Sequence, residues 1–281
     1  MSRTRIIVLT LLAMTAFAGN SLLCRLALKH TGIDAASFTS IRLISGAVAL
    51  WLIVRMRGGT HAAAGSWLSA LALFAYAAGF SFAYISLPAA TGTLLLFGAV
   101  QATMVGYGLW TGERLRRRQT AGFVCALGGL VSLLSPGLSA PPLPGSLLML
   151  GAGVAWGIYS LRGRNAGDPL GATTGNFCRA VFFTAGLSLV LLPRVSLDSS
   201  GIWAAIVSGA LASGVGYAIW YTALRGLNAT RAATVQLSVP VIAAMGGLVF
   251  LGEPVTLHLL IAATAILGGI AAIIIDKQCV S

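Results

Sequence analysis

Acidic side chains are scarce in this 281-residue chain, with six Asp and Glu against 18 Lys and Arg, and charged residues make up only 9% of it. That is too little charge to cover the water-facing surface of a protein of this size, and it excludes a soluble globule. Histidine is rare too: His30, His61 and His258 stand alone, and no His-Glu-x-x-His sequence occurs. The four cysteines, Cys24, Cys125, Cys178 and Cys279, have no paired spacing and read as free thiols. Metal and redox chemistry lose their usual ligands, and no apolar run holds two aspartates or a serine with a partner base. The chain is therefore read as no enzyme, with no cofactor implied.

What is present is apolar. Hydrophobic residues are 57% of the chain and its mean hydropathy is +0.91. A bilayer span takes about 20 such residues, so ten spans use about 200 and leave no room for a soluble domain. The net charge of +12 would suit nucleic acid only on a folded basic face, which this composition cannot build; no nucleic-acid partner is expected. The N-terminus imitates a secretion signal, with Arg3 and Arg5 before an apolar run and Ala16-Phe17-Ala18. The run continues to Leu28, long enough to span, so it is taken as helix 1, uncleaved.

Further apolar runs at 35–54, 66–86, 89–110 and 119–135 give helices 2 to 5. The segment 136–145 holds four of the nine prolines and is read as a linker. Runs at 146–161, 171–193, 201–223, 229–251 and 256–275 give helices 6 to 10. The fold class is an all-α membrane protein of ten transmembrane helices, in halves 1–135 and 146–281. With the N-terminus cytoplasmic, one side collects Arg3, Arg5, Arg55, Arg57, Arg114, Arg116, Arg117, Arg118, Arg162, Arg164, Arg225 and Lys277, and the other only Lys29 and Arg194. Both termini are expected in the cytoplasm.

The halves resemble each other. Gly112-Glu113 precedes Gly128-Gly129, and Gly252-Glu253 precedes Gly268-Gly269, by the same 16 positions (128 − 112 and 268 − 252). Gly19 precedes Arg42 by 23 positions and Gly157 precedes Arg179 by 22. Five helices per half make the second copy enter from the opposite face, so the repeats are inverted, the usual architecture of secondary transporters. Small-residue pairs four apart (Gly153 and Gly157, Gly209 and Ser213, Gly122 and Ala126) suit close helix contact.

Trp156-Gly157, Arg42 and Arg179, Pro240, Leu251-Gly252-Glu253 and Gly112-Glu113 together resemble the EamA-type permeases of the drug/metabolite transporter superfamily. The resemblance covers nearly the whole chain and is nearest to bacterial exporters of aromatic and other amino acids. It implies two five-helix repeats in the inner membrane. The first half departs from it at Ala18-Gly19 and Val100, where the second has Trp156-Gly157 and Pro240.

The candidate substrate-binding residues are polar or aromatic groups within apolar runs. Asn20, Gln101 and Gln236 are amides that must find partners in the bundle or in a wet cavity. Tyr76 and Phe80 share a helix face with Tyr84, Trp156 lies close to Tyr159, and Tyr217 to Trp220 and Tyr221. These rings either wall a cavity or pack helices, and Tyr84, Trp110 and Trp203, near run ends, read as interfacial belts. Arg42 and Arg179 either hold a substrate carboxylate or cap carbonyls; Arg179 is counted among the site residues. Glu113 and Glu253 read as caps of the next helix rather than coupling groups.

The expected function is export of small apolar amino acids, down their own gradient, by a monomer whose partners are its small-molecule substrate and the bilayer. Proton-coupled export of drugs or other metabolites is the alternative, disfavoured because no carboxylate lies mid-run. A channel shares the architecture and differs in kinetics.

Overall fold

The computed structural model describes residues 2–58, 64–112, 114–135, 140–163, 167–224, 226, 227 and 235–278, without the side chains of 275–278. His61, Glu113, Arg164, Arg225 and Cys279, which figure in the sequence reading, lie outside the described residues. The described residues are helical with no strand: α1 Arg3–His30, α2 Ala35–Met56, α3 Trp67–Tyr84, α4 Ala89–Trp110, α5 Arg117–Leu134, α6 Leu143–Gly163, α7 Pro169–Val190, α8 Ser199–Leu224, α9 Ser238–Leu251 and α10 Leu257–Gln278.

Seven of them, α1, α2, α3, α4, α6, α8 and α10, are long and apolar enough to cross a membrane, and α9 is a shorter apolar helix. The expectation of ten spans is met to that extent. Helix α5 falls short because it opens Arg117-Arg118-Gln119, and α7 because Thr173, Thr174, Asn176 and Arg179 interrupt its apolar run. Residues 229–234 of the ninth run lie outside the described residues. Large apolar side chains such as Leu11, Val131, Phe182, Leu189, Val249 and Phe250 face outward, a surface suited to lipid. The protein is a multi-pass membrane protein.

Local signals explain the helix ends. Asp34 caps α2, accepting from the backbone N–H groups of Ala36 and Ser37, while Ser66 caps α3 and Asp198 caps α8. Helix α6 starts at Leu143, inside the stretch read as a proline linker. Pro144 is accommodated because first-turn N–H groups have no acceptor within the helix. Gly252, with φ +61°, ends α9 in the left-handed conformation and turns the chain so that Glu253 N–H meets the Gly247 carbonyl at 3.0 Å.

The small-residue pairs do lie at helix contacts. A Cβ on Gly153 would stand 2.6 Å from the Leu96 carbonyl of α4, one on Gly122 would stand 2.6 Å from the Gly269 carbonyl of α10, and one on Gly209 would collide with the Arg42 carbonyl of α2. Helix α8 contains a π turn, Ser208–Val215, where these contacts with α2 fall. Trp110 and Trp203 are exposed near helix ends as expected of belts, but Tyr84 is fully buried. Its ring meets Phe80 edge-on at 4.7 Å and its hydroxyl donates to the Ala89 carbonyl at 3.4 Å, so it is a core residue. Cys24, Cys125 and Cys178 are unpaired.

Candidate functional site: a half-open cavity in the bundle

The helices enclose a cavity of about 780 Å³. Its wall includes Asn20 from α1, Tyr76 and Phe80 from α3, Gln101 from α4, Trp156 and Tyr159 from α6, Tyr217 and Trp220 from α8, and Gln236 ahead of α9. Nine of the ten candidate residues read from the sequence are thus brought to one space. The rings form a connected wall. Trp156 is stacked on Tyr159 at 5.3 Å and on Tyr217 at 5.6 Å, and meets Tyr76 at 4.8 Å. Tyr76 and Phe80 touch at 5.4 Å because residues four apart share a helix face.

The tenth candidate, Arg179, is not in the wall. Its Nη1 donates to the carbonyls of Ala64 at 2.8 Å and Gly175 at 3.0 Å, and its guanidinium lies 5.9 Å from the Trp67 ring. This is the carbonyl-binding alternative for that residue, available because the chain ahead of α3 runs against α7. Arg42, matched to it by sequence spacing, has other surroundings. It is 2% exposed, donates from Nη2 to the Tyr76 hydroxyl at 3.2 Å, and lies over the rings of Phe80 at 4.8 Å and Tyr76 at 5.4 Å.

The polar groups are tied into the wall. Ser208 donates to Asn20 Oδ1 at 2.6 Å, and Asn20 Nδ2 lies 3.5 Å from the Tyr76 hydroxyl. On α7, where the sequence singles out only Arg179 for the site, Thr173 pairs with Tyr221 at 3.0 Å and accepts from Tyr159 at 3.4 Å, and Asn176 also lines the space. Only the polar interruptions of α7 hinted at this. Among the described residues the wall carries no carboxylate.

The cavity reaches one face of the bundle and not the other. Thr111, Gly163, Pro169 and Leu224, at helix ends, lie along its edge. The start of α1 is on that face, where Ile6 approaches Gly226. At the opposite end Tyr84, Leu87 and Ala89 are fully buried, and an ion pair ties three elements together. Arg25 Nε donates to Glu253 Oε1 at 2.8 Å, and Arg25 Nη1 donates to the carbonyls of Tyr84 at 2.9 Å and Ile85 at 3.0 Å. Glu253 Oε2 accepts from the Ala89 N–H at 2.7 Å. Glu253 does cap a helix, but α4 rather than the α10 that follows it. No sequence signal linked Arg25 to Glu253, 228 positions apart.

A membrane-embedded helical bundle that opens an aromatic-walled cavity to one face and seals it at the other is a transporter in form. Residues 143–275 match the EamA-like transporter family, so this half of the chain carries an EamA-like domain. An uncharacterized protein of Pseudomonas aeruginosa is 56% identical over 97% of this chain and 96% of its own. The threonine/homoserine exporter RhtA of Escherichia coli K12 is 36% identical over 51% of this chain, and the match spans 50% of the exporter. A probable amino-acid metabolite efflux pump of Salmonella typhimurium is 25% identical over 66% of this chain and 67% of the pump. A crystal structure 20% identical in sequence superposes with a TM-score of 0.71 over 100% of both chains, which shows a shared fold.

Proposed function

We propose that this protein is a secondary transporter that exports small apolar amino acids by alternating access, with both termini cytoplasmic. The observation that carries the reading is the cavity itself: its aromatic wall suits an apolar side chain, its amides and hydroxyls suit the polar end of an amino acid, and it opens on one face only. The RhtA exporter and the efflux pump named above act on amino acids or their metabolites by their own names, which favours the same class here.

The proposal includes two inverted five-helix repeats, α1–α5 and α6–α10. The helix packing supports this, since it survives exchange of the halves. Helix α1 packs on α8 and α9 as α6 packs on α3 and α4; α2 packs on α8 as α7 packs on α3; and α2–α7, α4–α9 and α5–α10 pair across the centre. Such an arrangement lets one set of contacts open one face while its counterpart closes the other.

Without a carboxylate in the described wall, the solute's own gradient is the proposed driving force. The test is a proteoliposome panel of amino acids, cationic dyes and nucleotide sugars, with and without an imposed pH gradient. Flux of aromatic or branched amino acids that needs no pH gradient is expected. Absence of amino-acid flux, or flux only with a proton gradient, overturns the reading.

A further inference from the structure

We propose that the cavity contains a carboxylate subsite at the Tyr76 hydroxyl, charged from behind by Arg42; this rests on the amino-acid reading and names the group by which the solute is recognised. Arg42 lies in the eighth position of α2, well inside the bundle, and is 2% exposed. Of its guanidinium nitrogens only Nη2 has a hydrogen-bond acceptor, and Nε and Nη1 have none. An arginine that merely capped or reached the interface would meet carbonyls or water, as Arg179 meets carbonyls.

The charge balance points the same way. Glu253 is the one buried carboxylate among the described residues, and it is engaged by Arg25 and by the Ala89 N–H. Arg42 therefore leaves one positive charge uncompensated in a medium where charge is costly. The faces of Phe80 and Tyr76 hold that cation in place without neutralising it.

Tyr76 transmits the charge to the cavity. Its oxygen accepts from Arg42 at 3.2 Å, with Asn20 Nδ2 at 3.5 Å, so its own proton is left to donate, and its ring lines the cavity. A phenol that accepts from a guanidinium is a stronger donor, and a solute carboxylate is the acceptor that answers both the proton and the charge. A single positive charge balances a monocarboxylate and not a phosphate dianion. The ammonium of an amino acid would then face the rings of Trp156 and Tyr217, and its side chain the remaining aromatic wall.

The test compares L-phenylalanine with L-phenylalaninamide, which lacks the carboxylate, by isothermal titration of the purified full-length protein in detergent. The wild type is expected to bind phenylalanine at least about tenfold more tightly, the low end for a hydrogen bond to a charged group. Arg42→Gln and Tyr76→Phe should each erase the preference, weakening phenylalanine far more than the amide. Tyr76→Phe keeps the ring and the volume, so it decides the matter if Arg42→Gln does not fold. Equal binding of the two probes by the wild type, or a preference that survives Tyr76→Phe, overturns the subsite and leaves the transporter reading standing. Binding of neither probe overturns the amino-acid reading and the subsite with it.

Discussion

Replacing Glu253 by Gln should open the sealed face. The carboxylate accepts from Arg25 Nε at 2.8 Å and from Ala89 N–H at 2.7 Å, with both side chains less than a tenth exposed. Removing one member of a buried pair costs about 3–5 kcal/mol, because the other charge is left without a counter-ion. The low end applies here, since Arg25 keeps the carbonyls of Tyr84 and Ile85 and a glutamine can still accept one hydrogen bond. A loss of about 3 kcal/mol from the sealed state alone shifts its balance with the opened state by somewhat more than a hundredfold. The reporter is a cysteine at Leu87, fully buried behind the pair, in a background without the native cysteines. Labelling by a membrane-impermeant maleimide should accelerate by about that factor in Glu253→Gln and in Arg25→Met. The double variant should be no faster than the singles, because they break one interaction. An unchanged labelling rate at normal protein yield would refute the argument and reduce the pair to a fold-holding contact.

Three further outcomes follow from other contacts. Hydrogen bonds from Ser37, Ala36 and Ser196 outweigh the opposing effect of burial and hold the Asp34 carboxyl below its ordinary range. Its contribution is therefore full above the unfolded carboxylate value of about 3.9 and is lost as pH falls through the lower folded value. Asp34→Asn should flatten the fall in melting temperature between neutral pH and about pH 3; an identical fall in both proteins would count against the cap. Gly209→Ala, which drives a methyl into the α2 backbone, should destabilise by about 1–3 kcal/mol in a thermal melt, whereas Gly106→Ala, with open space around it, should not. Trp156→Ala removes the ring that joins Tyr76, Tyr159 and Tyr217. It should weaken amino-acid transport in liposomes about tenfold, the scale of one lost ring contact of about 1.5 kcal/mol; unchanged transport would place the solute elsewhere.

Much of this was legible in the sequence because the bilayer simplifies the reading. Long apolar runs have few fates, so the helices emerge from length alone, and an amide or ring within such a run stands out as needing a partner. Nine candidate residues met in one cavity for that reason. Tertiary partners were less legible. The sequence spacings match Arg42 to Arg179, but the carbonyl of Ala64 reaches only Arg179, while a tyrosine lies beside Arg42. Likewise Tyr84 near a helix end reads as a belt residue until the α3–α4 turn closes over it. The Arg25–Glu253 pair depends on α1 meeting both the α3–α4 and the α9–α10 turns, which no local pattern encodes.

The π turn of α8 has a consequence for how the chain tolerates change. An α-helix advances about 100° per residue, so one residue more or less re-aims everything beyond it. Within Ser208–Val215 the wider turn holds extra backbone while Gly209 stays against α2 and Tyr217, Trp220 and Tyr221 stay on the cavity. Deleting the outward-facing Leu211 would leave a helix still long enough to cross the bilayer. It would also let the π turn tighten to α geometry, which absorbs the missing residue and keeps those three rings on the cavity. For this helix, the π turn is where length can change without loss of recognition, whereas a residue removed from the regular stretch Ser199–Val207 should re-aim everything beyond it by about 100°.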